Sequence, residues 1–181
     1  MVDSESRFET PRLVLRKLLE GDAEALFPYW SDVRVTRYMK IDTLRTIDEA
    51  RSLIRTIVKE MAEGKASRYV IKLKDTGHII GTCGFETFQT EHHSAKISYE
   101  LGKPYWGKGY ASEALRCILA DGFRTRRLHR VEAYIEPDND RSIHALHKLG
   151  FMQEGRLRGA LYKSNRYVDQ LVFSLLREEM E

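Results

Sequence analysis

Residues 104–114 read PYWGKGYASEA, with two glycines flanking a lysine between a strand-like run and a helix-like one. A glycine-rich turn in that position leaves unpaired backbone N–H groups at the positive end of the helix dipole, a concavity complementary to phosphate oxygens. Glycine suits such a turn because a Cβ would hold ligand oxygens away and because glycine adopts φ > 0. A tight turn that merely starts a helix accounts for the two glycines equally well, so the neighbouring residues must decide.

Read from Gly102, the stretch fits G-x-x-x-x-G-K but offers Gly109 where a P-loop hydrolase needs Ser or Thr to hold Mg²⁺. Read from Gly107, it gives G-x-G-x-x-S, without the third small residue of a dinucleotide fingerprint, and the preceding strand is polar on one face instead of buried on both. Both nucleotide readings are therefore incomplete.

Outward from the turn, hydrophobic periodicity predicts the remaining elements. Leu13 and Leu15 alternate with polar neighbours in a first strand over 12–18. Two helices follow: one from an Asp22 N-cap to about Trp30, and one from Thr46, boxed by Glu49, to Gly64 with an apolar stripe through Ile54 and Ile57. Short β-type runs at 67–73, 78–86 and 95–101 suggest an antiparallel meander. A helix over 108–123, a strand stopping at Pro137 and a helix from Asp140 to about Leu149 with Gly150 at its end come next. Strands near 151–157 and 167–176 close the sheet around a loop, RGALYKSN.

The 181 residues, 42% hydrophobic, suit one domain with a real core, and a net charge of +3 argues against a nucleic-acid binder held mainly by charge. Cys83 and Cys117 lie in apolar segments without CxxC spacing and read as buried thiols of a reducing cytosol. His144 and His147 lie one helical turn apart, and His92 and His93 adjoin, but no third ligand accompanies either pair, so no metal is expected. The opening MVDSESRFET has no apolar h-region and no run approaches a membrane span, so the chain reads as cytoplasmic, with no membrane partner.

The glycine stretch resembles the pyrophosphate loop of the GNAT superfamily of acetyl-CoA-dependent N-acetyltransferases, Q/R-x-x-G-x-G/A before a helix. The pattern falls on Trp106, Gly109 and Ala111, with tryptophan in the polar first place. ETPRLVLRKL (9–18), SDVRVTRYM (31–39), NDRSIHALHKLGF (139–151) and YVDQLVFSLL (167–176, with Asp169) resemble segments of the RimJ/RimL-type branch that acetylates ribosomal-protein N-termini. The resemblance implies an α+β, three-layer fold: a single domain over 1–181, its core about 8–178, with about seven mostly antiparallel strands, helices on both faces and central strands splayed around CoA.

By that resemblance, backbone groups of Tyr99, Leu101, Trp106, Gly107, Lys108, Gly109, Tyr110 and Ala111 hold acetyl-CoA, Asn139 binds its pantetheine arm and Ser142 lies near the thioester sulfur. Leu146 and Leu161 occupy places where relatives carry a tyrosine acid and a glutamate base. Ser142 and Glu100 are therefore the catalytic candidates, with Glu86 a weaker one, while Trp30, Tyr38 and Met39 lie in the segment that covers the acceptor pocket in relatives. Alternation sets Glu100 with Lys96 and Ser98, opposite Tyr99; a solvent-facing carboxylate is the competing reading.

The missing acid and base bear on the acceptor. At pH 7 a protein α-amine of pKa about 7.7 to 8.0 is roughly 10 to 17% free base, whereas a lysine near 10.4 is about 0.04%. An α-amine needs orientation more than proton removal, so the expected reaction is direct attack on acetyl-CoA by a protein N-terminal amine in a ternary complex. Acetylation of a polyamine or antibiotic amine, or a CoA-binding sensor without catalysis, are the alternatives. The acceptor's identity and the oligomeric state, a homodimer included, stay open.

Overall fold

The computed structural model describes residues 7–180; Met1 to Ser6, the start of the N-terminal segment considered above, and Glu181 lie outside the described residues. The strands are β1 (Arg7–Glu9), β2 (Leu13–Lys17), β3 (Ser67–Leu73), β4 (Ile79–Gln89), β5 (Ser94–Leu101), β6 (Arg130–Ile135), β7 (Met152–Lys163) and β8 (Arg166–Leu176). The helices are α1 (Ala23–Trp30), α2 (Val33–Thr36), α3 (Ile47–Ala62), α4 (Tyr110–Arg124) and α5 (Asp140–Lys148). All eight strands form one sheet in the order β1-β2-β3-β4-β5-β6-β8-β7, antiparallel except for β5 beside β6.

Alternation along β3 explains the layers. Tyr69, Ile71 and Leu73 join Leu13 and Leu15 of β2 against Leu115, Ile118 and Leu119 of α4. Val70 points the other way, into a second cluster with Leu26 and Trp30 of α1 and Ala50 and Ile54 of α3. Each such aliphatic side chain, fully buried, contributes about 1.5–3 kcal/mol, so the central strands are fixed from both faces.

The capping box of α3 forms as read: Thr46 Oγ1 accepts from Glu49 N at 3.3 Å and Glu49 Oε2 accepts from Thr46 N at 3.1 Å. Asp22 differs. It precedes α1, but its carboxylate accepts from Arg16 at 2.6 and 2.9 Å and from Leu19 N at 2.9 Å, fixing the corner between β2 and α1 instead of capping α1. The expected loop RGALYKSN is mostly strand: β7 continues to Lys163 through a register shift between Leu157 and Leu161, and only Ser164 and Asn165, at φ 50° and 58°, turn the chain. Asp169 pins that irregularity by accepting from Gly159 N and Arg156 Nε, both at 2.7 Å. β1 and α2 are additional elements, and the sheet has eight strands where about seven were expected.

Candidate active site

Parallel pairing between β5 and β6 covers three residue pairs and stops at Lys96 opposite Glu132. Beyond it the strands part, with Lys96 Nζ 4.4 Å over the Tyr134 ring at the fork. A cleft of about 770 Å³ opens there. Of the residues read from the sequence, Tyr99, Glu100 and Leu101 line it from β5, and Trp106, Gly107, Gly109, Tyr110 and Ala111 line it from the turn and α4. Asn139 and Ser142 line it from α5. Lys108 does not: its side chain is exposed outside the cleft wall, and its carbonyl accepts from Arg12 Nη1 at 2.9 Å.

The glycine turn is held from the segment between β1 and β2. Glu113, in the first turn of α4, accepts from Thr10 Oγ1 at 2.6 Å, Arg12 N at 2.9 Å and Arg12 Nε at 2.7 Å. Burial opposes ionisation of Glu113, but these hydrogen bonds outweigh it and lower its pKa, and a carboxylate there also suits the positive end of the helix dipole. Arg12 also lies over the Tyr110 ring at 4.5 Å. Gly107 and Gly109 both take positive φ, 72° and 78°. α4 starts on Gly109 without a side-chain cap, so its first-turn N–H groups are left for a ligand.

Trp106 stands where the loop pattern has a polar residue, and its indole N–H donates to the Leu101 carbonyl at 2.7 Å. Its ring carries the Arg141 guanidinium at 3.5 Å, a stacked cation at the edge of the turn. On α5, Asn139 Oδ1 accepts from Ser142 N at 3.3 Å. The asparagine oxygen is thus committed to the cap, and its amide nitrogen is the group left for a ligand.

Glu100 is neither solvent-facing nor free. It is buried, and its Oε1 accepts from Trp30 Nε1 at 3.1 Å and from Thr82 Oγ1 at 2.6 Å. Oε2 lies 3.8 Å from Arg68 Nη2, while Arg68 Nη1 donates to Ser98 Oγ at 2.7 Å and to the Ser98 carbonyl at 3.0 Å. Burial raises the Glu100 pKa; Arg68, Thr82 and Trp30 pull it back. The alternation along β5 holds, with Glu100 on the α1 side and Tyr99 on the α4 side.

A register shift in β4, between Phe85 and Thr87, sets Glu86 in the cleft wall, paired with Lys40 at 2.6 Å. Residues 37–40 cross the cleft. Arg37 pairs with Asp138 at 2.8 Å, Tyr38 Oη donates to the Asp138 carbonyl at 3.0 Å, and Lys163 Nζ donates to the Arg37 carbonyl. Trp30, Tyr38 and Met39 accordingly line the cleft. Glu136, just past β6, is buried and paired with Lys163 at 2.6 Å.

His147 packs edge-on against Phe173 at 5.4 Å, and among the described residues no three potential metal ligands cluster. Burial pushes both the Cys83 and Cys117 thiols up, and neither lines the cleft. No helix among the described residues is long and apolar enough to cross a membrane.

Sequence reading missed Arg68, Arg141 and the partnership of Trp30 with Glu100. No local pattern marks them, because each acquires its meaning from a residue distant in the chain.

These features suit CoA: a glycine turn with N–H groups to spare, a stacked guanidinium and an amide donor on Asn139. The acetyltransferase (GNAT) domain profile matches residues 12–152. An uncharacterised N-acetyltransferase of Bacillus licheniformis, p20, is 44% identical over 94% of this chain and 96% of its own length. The [ribosomal protein uS5]-alanine N-acetyltransferase of Escherichia coli is 28% identical over 93% of this chain and 90% of its own. The fold also matches spermidine N-acetyltransferase from Vibrio cholerae in complex with CoA and spermine, with a TM-score of 0.82 and 22% identity over 94% of this chain and 98% of that one. The chain belongs to the GNAT family of N-acetyltransferases and is an acyltransferase.

Proposed function

We propose that the protein transfers acetyl from acetyl-CoA to the α-amine of a protein N-terminus, by direct attack in a ternary complex. The observation that carries this is the division of the cleft at β5. Glu100, with one carboxylate oxygen free of hydrogen bonds among the described residues, faces the α1 side, and Ser142 lines the α5 side. The glycine turn, Asn139 and Arg141 hold the coenzyme; Glu100 takes the proton that the attacking amine loses; Ser142 faces the departing sulfur. A group that starts partly unprotonated requires only a modest base, in keeping with a carboxylate that burial raises and three donors restrain.

Acceptance of a polyamine calls for carboxylates without cations. The acceptor half of the cleft does hold Glu60, Glu86 and Glu100. Lys40 neutralises Glu86, however, and Arg68 faces Glu100, which favours a singly charged acceptor. The test is thiol release from acetyl-CoA with N-terminal peptides, lysine peptides and polyamines offered side by side. Faster turnover of the polyamines would overturn the α-amine assignment, and tight CoA binding with no acetylation at all would make the protein a sensor.

Arg141 gives a separate expectation. Its guanidinium lies over the Trp106 ring and makes no hydrogen bond or ion pair among the described residues, leaving its N–H donors for an anion. Arg141→Ala is expected to weaken CoA binding about tenfold, roughly 1.4 kcal/mol, as for a single charge-assisted contact. Titration calorimetry at low and high salt checks this, and the gap between variant and parent should narrow at high salt.

A further inference from the structure

The Tyr99 hydroxyl is a buried polar group in the cleft wall. Its oxygen is closed to solvent and has no hydrogen-bond partner among the described residues. Such a group costs stability, and phenylalanine would fill the same space without it. The other buried side-chain oxygen in this condition, Ser67 Oγ, is outside the cleft wall, whereas Tyr99 is in it. The ring packs on the α4 side of β5, and the side chain of Ser142 faces its hydroxyl. Leu146, one turn along α5, is fully buried and has no polar atom to offer, so Ser142 finds its hydroxyl neighbour on the strand and not on its own helix.

We propose that Tyr99 is the positioning residue for thiolate departure: its hydroxyl donates to Ser142 Oγ, which leaves the serine hydrogen to point at the CoA sulfur. The proposal rests on the acetyl-transfer reading of this site. In the reaction a bond forms between the amine nitrogen and the thioester carbonyl carbon. The carbon–sulfur bond breaks with its electron pair staying on sulfur, and nitrogen gives up one proton to Glu100. Ser142 stabilises the thiolate by hydrogen bonding until it takes a proton from water, so one proton is lost and one gained. A thiol titrates near pH 8.5, and its thiolate therefore needs a donor more than it needs an acid. Burial, only partly offset by Ser142, raises the Tyr99 pKa, so the phenol keeps its proton and remains a donor.

Tyr99→Phe tests the arrangement. The variant is expected to melt at or above the parent's temperature without ligand, to lose about tenfold in kcat and to keep its KM for acetyl-CoA within about twofold. The double variant Tyr99→Phe/Ser142→Ala should be no slower than Ser142→Ala alone, because both act on one path. A parental kcat in Tyr99→Phe, or losses that multiply in the double variant, would overturn the proposal. A second readout is independent of any acceptor: the thiol of bound CoA, followed by ultraviolet absorbance of the thiolate, should titrate at lower pH on the parent than on Tyr99→Phe. Equal values overturn the role of Tyr99 even if an amine is acetylated. A parent that shows the thiol shift but acetylates nothing refutes the acceptor assignment and leaves the role of Tyr99 supported.

Discussion

Glu100→Gln is expected to lower kcat about a hundredfold while leaving CoA affinity unchanged. The magnitude is the lower end of what a positioned general base contributes. The substitution keeps the shape, and the amide oxygen can still accept from Trp30 and Thr82, whose hydrogen bonds at 3.1 and 2.6 Å fix the present carboxylate. Only the basic oxygen is lost. The pH profile separates this from a structural effect. If the amine and Glu100 must both be deprotonated, log kcat/KM rises with a slope near 2 at acid pH in the parent and near 1 in the variant. Equal slopes would dismiss Glu100 as the base.

The same variant carries a stability signature of definite sign. Burial raises the Glu100 pKa above its ordinary 4.5, with Arg68, Thr82 and Trp30 opposing. A carboxyl whose folded-state pKa lies above its unfolded value favours the folded state fully below about 4.5, and that contribution is lost as pH rises through the folded value. At neutral pH the folded parent has lost that contribution in whole or part, a loss that glutamine, which does not ionise, escapes. Glu100→Gln should melt above the parent at pH 7, and the gap should close towards pH 4. A carboxylate kept at a cost to stability, in a cleft and with one oxygen free of hydrogen bonds among the described residues, is the pattern expected of a working group.

How far the sequence carried differs from residue to residue. Period-two alternation placed Glu100 and Tyr99 on opposite faces of β5 correctly, since no irregularity interrupts that strand. The partners of Glu100 were not legible: Trp30 lies 70 positions away and Thr82 18, and only the meeting of α1 with the sheet brings them together. α2 spans four residues, too few to show a helical period. RGALYKSN reads as a loop between two closing strands, but Asp169 absorbs the irregularity and lets β7 continue. Thr10 and Arg12 were legible only as part of the ETPRLVLRKL resemblance, with Arg12 opening the first strand. Their hydrogen bonds to Glu113 show that ETPRL serves the glycine turn directly.

Gly109→Val is expected to raise the CoA dissociation constant about a hundredfold while the domain stays folded. Gly109 sits at φ 78°, and a Cβ there would meet Arg12 Nη2 at 3.4 Å. A branched side chain in the left-handed region costs about 1–2 kcal/mol. Relief of that strain would turn residue 109 to negative φ, swing the first N–H groups of α4 and disturb Arg12, which also holds the Lys108 carbonyl and lies over Tyr110. The position is exposed, so the strain should lower the melting temperature by only a few degrees. Gly64→Val is the control: Gly64 has φ 71°, nothing within 4 Å of its Cβ position, and no place in the cleft. It should lose comparable stability and keep CoA affinity. Equal affinity losses in the two variants would mean that strain, not the turn, governs binding, and unchanged affinity in a folded Gly109→Val would remove the turn from the coenzyme site.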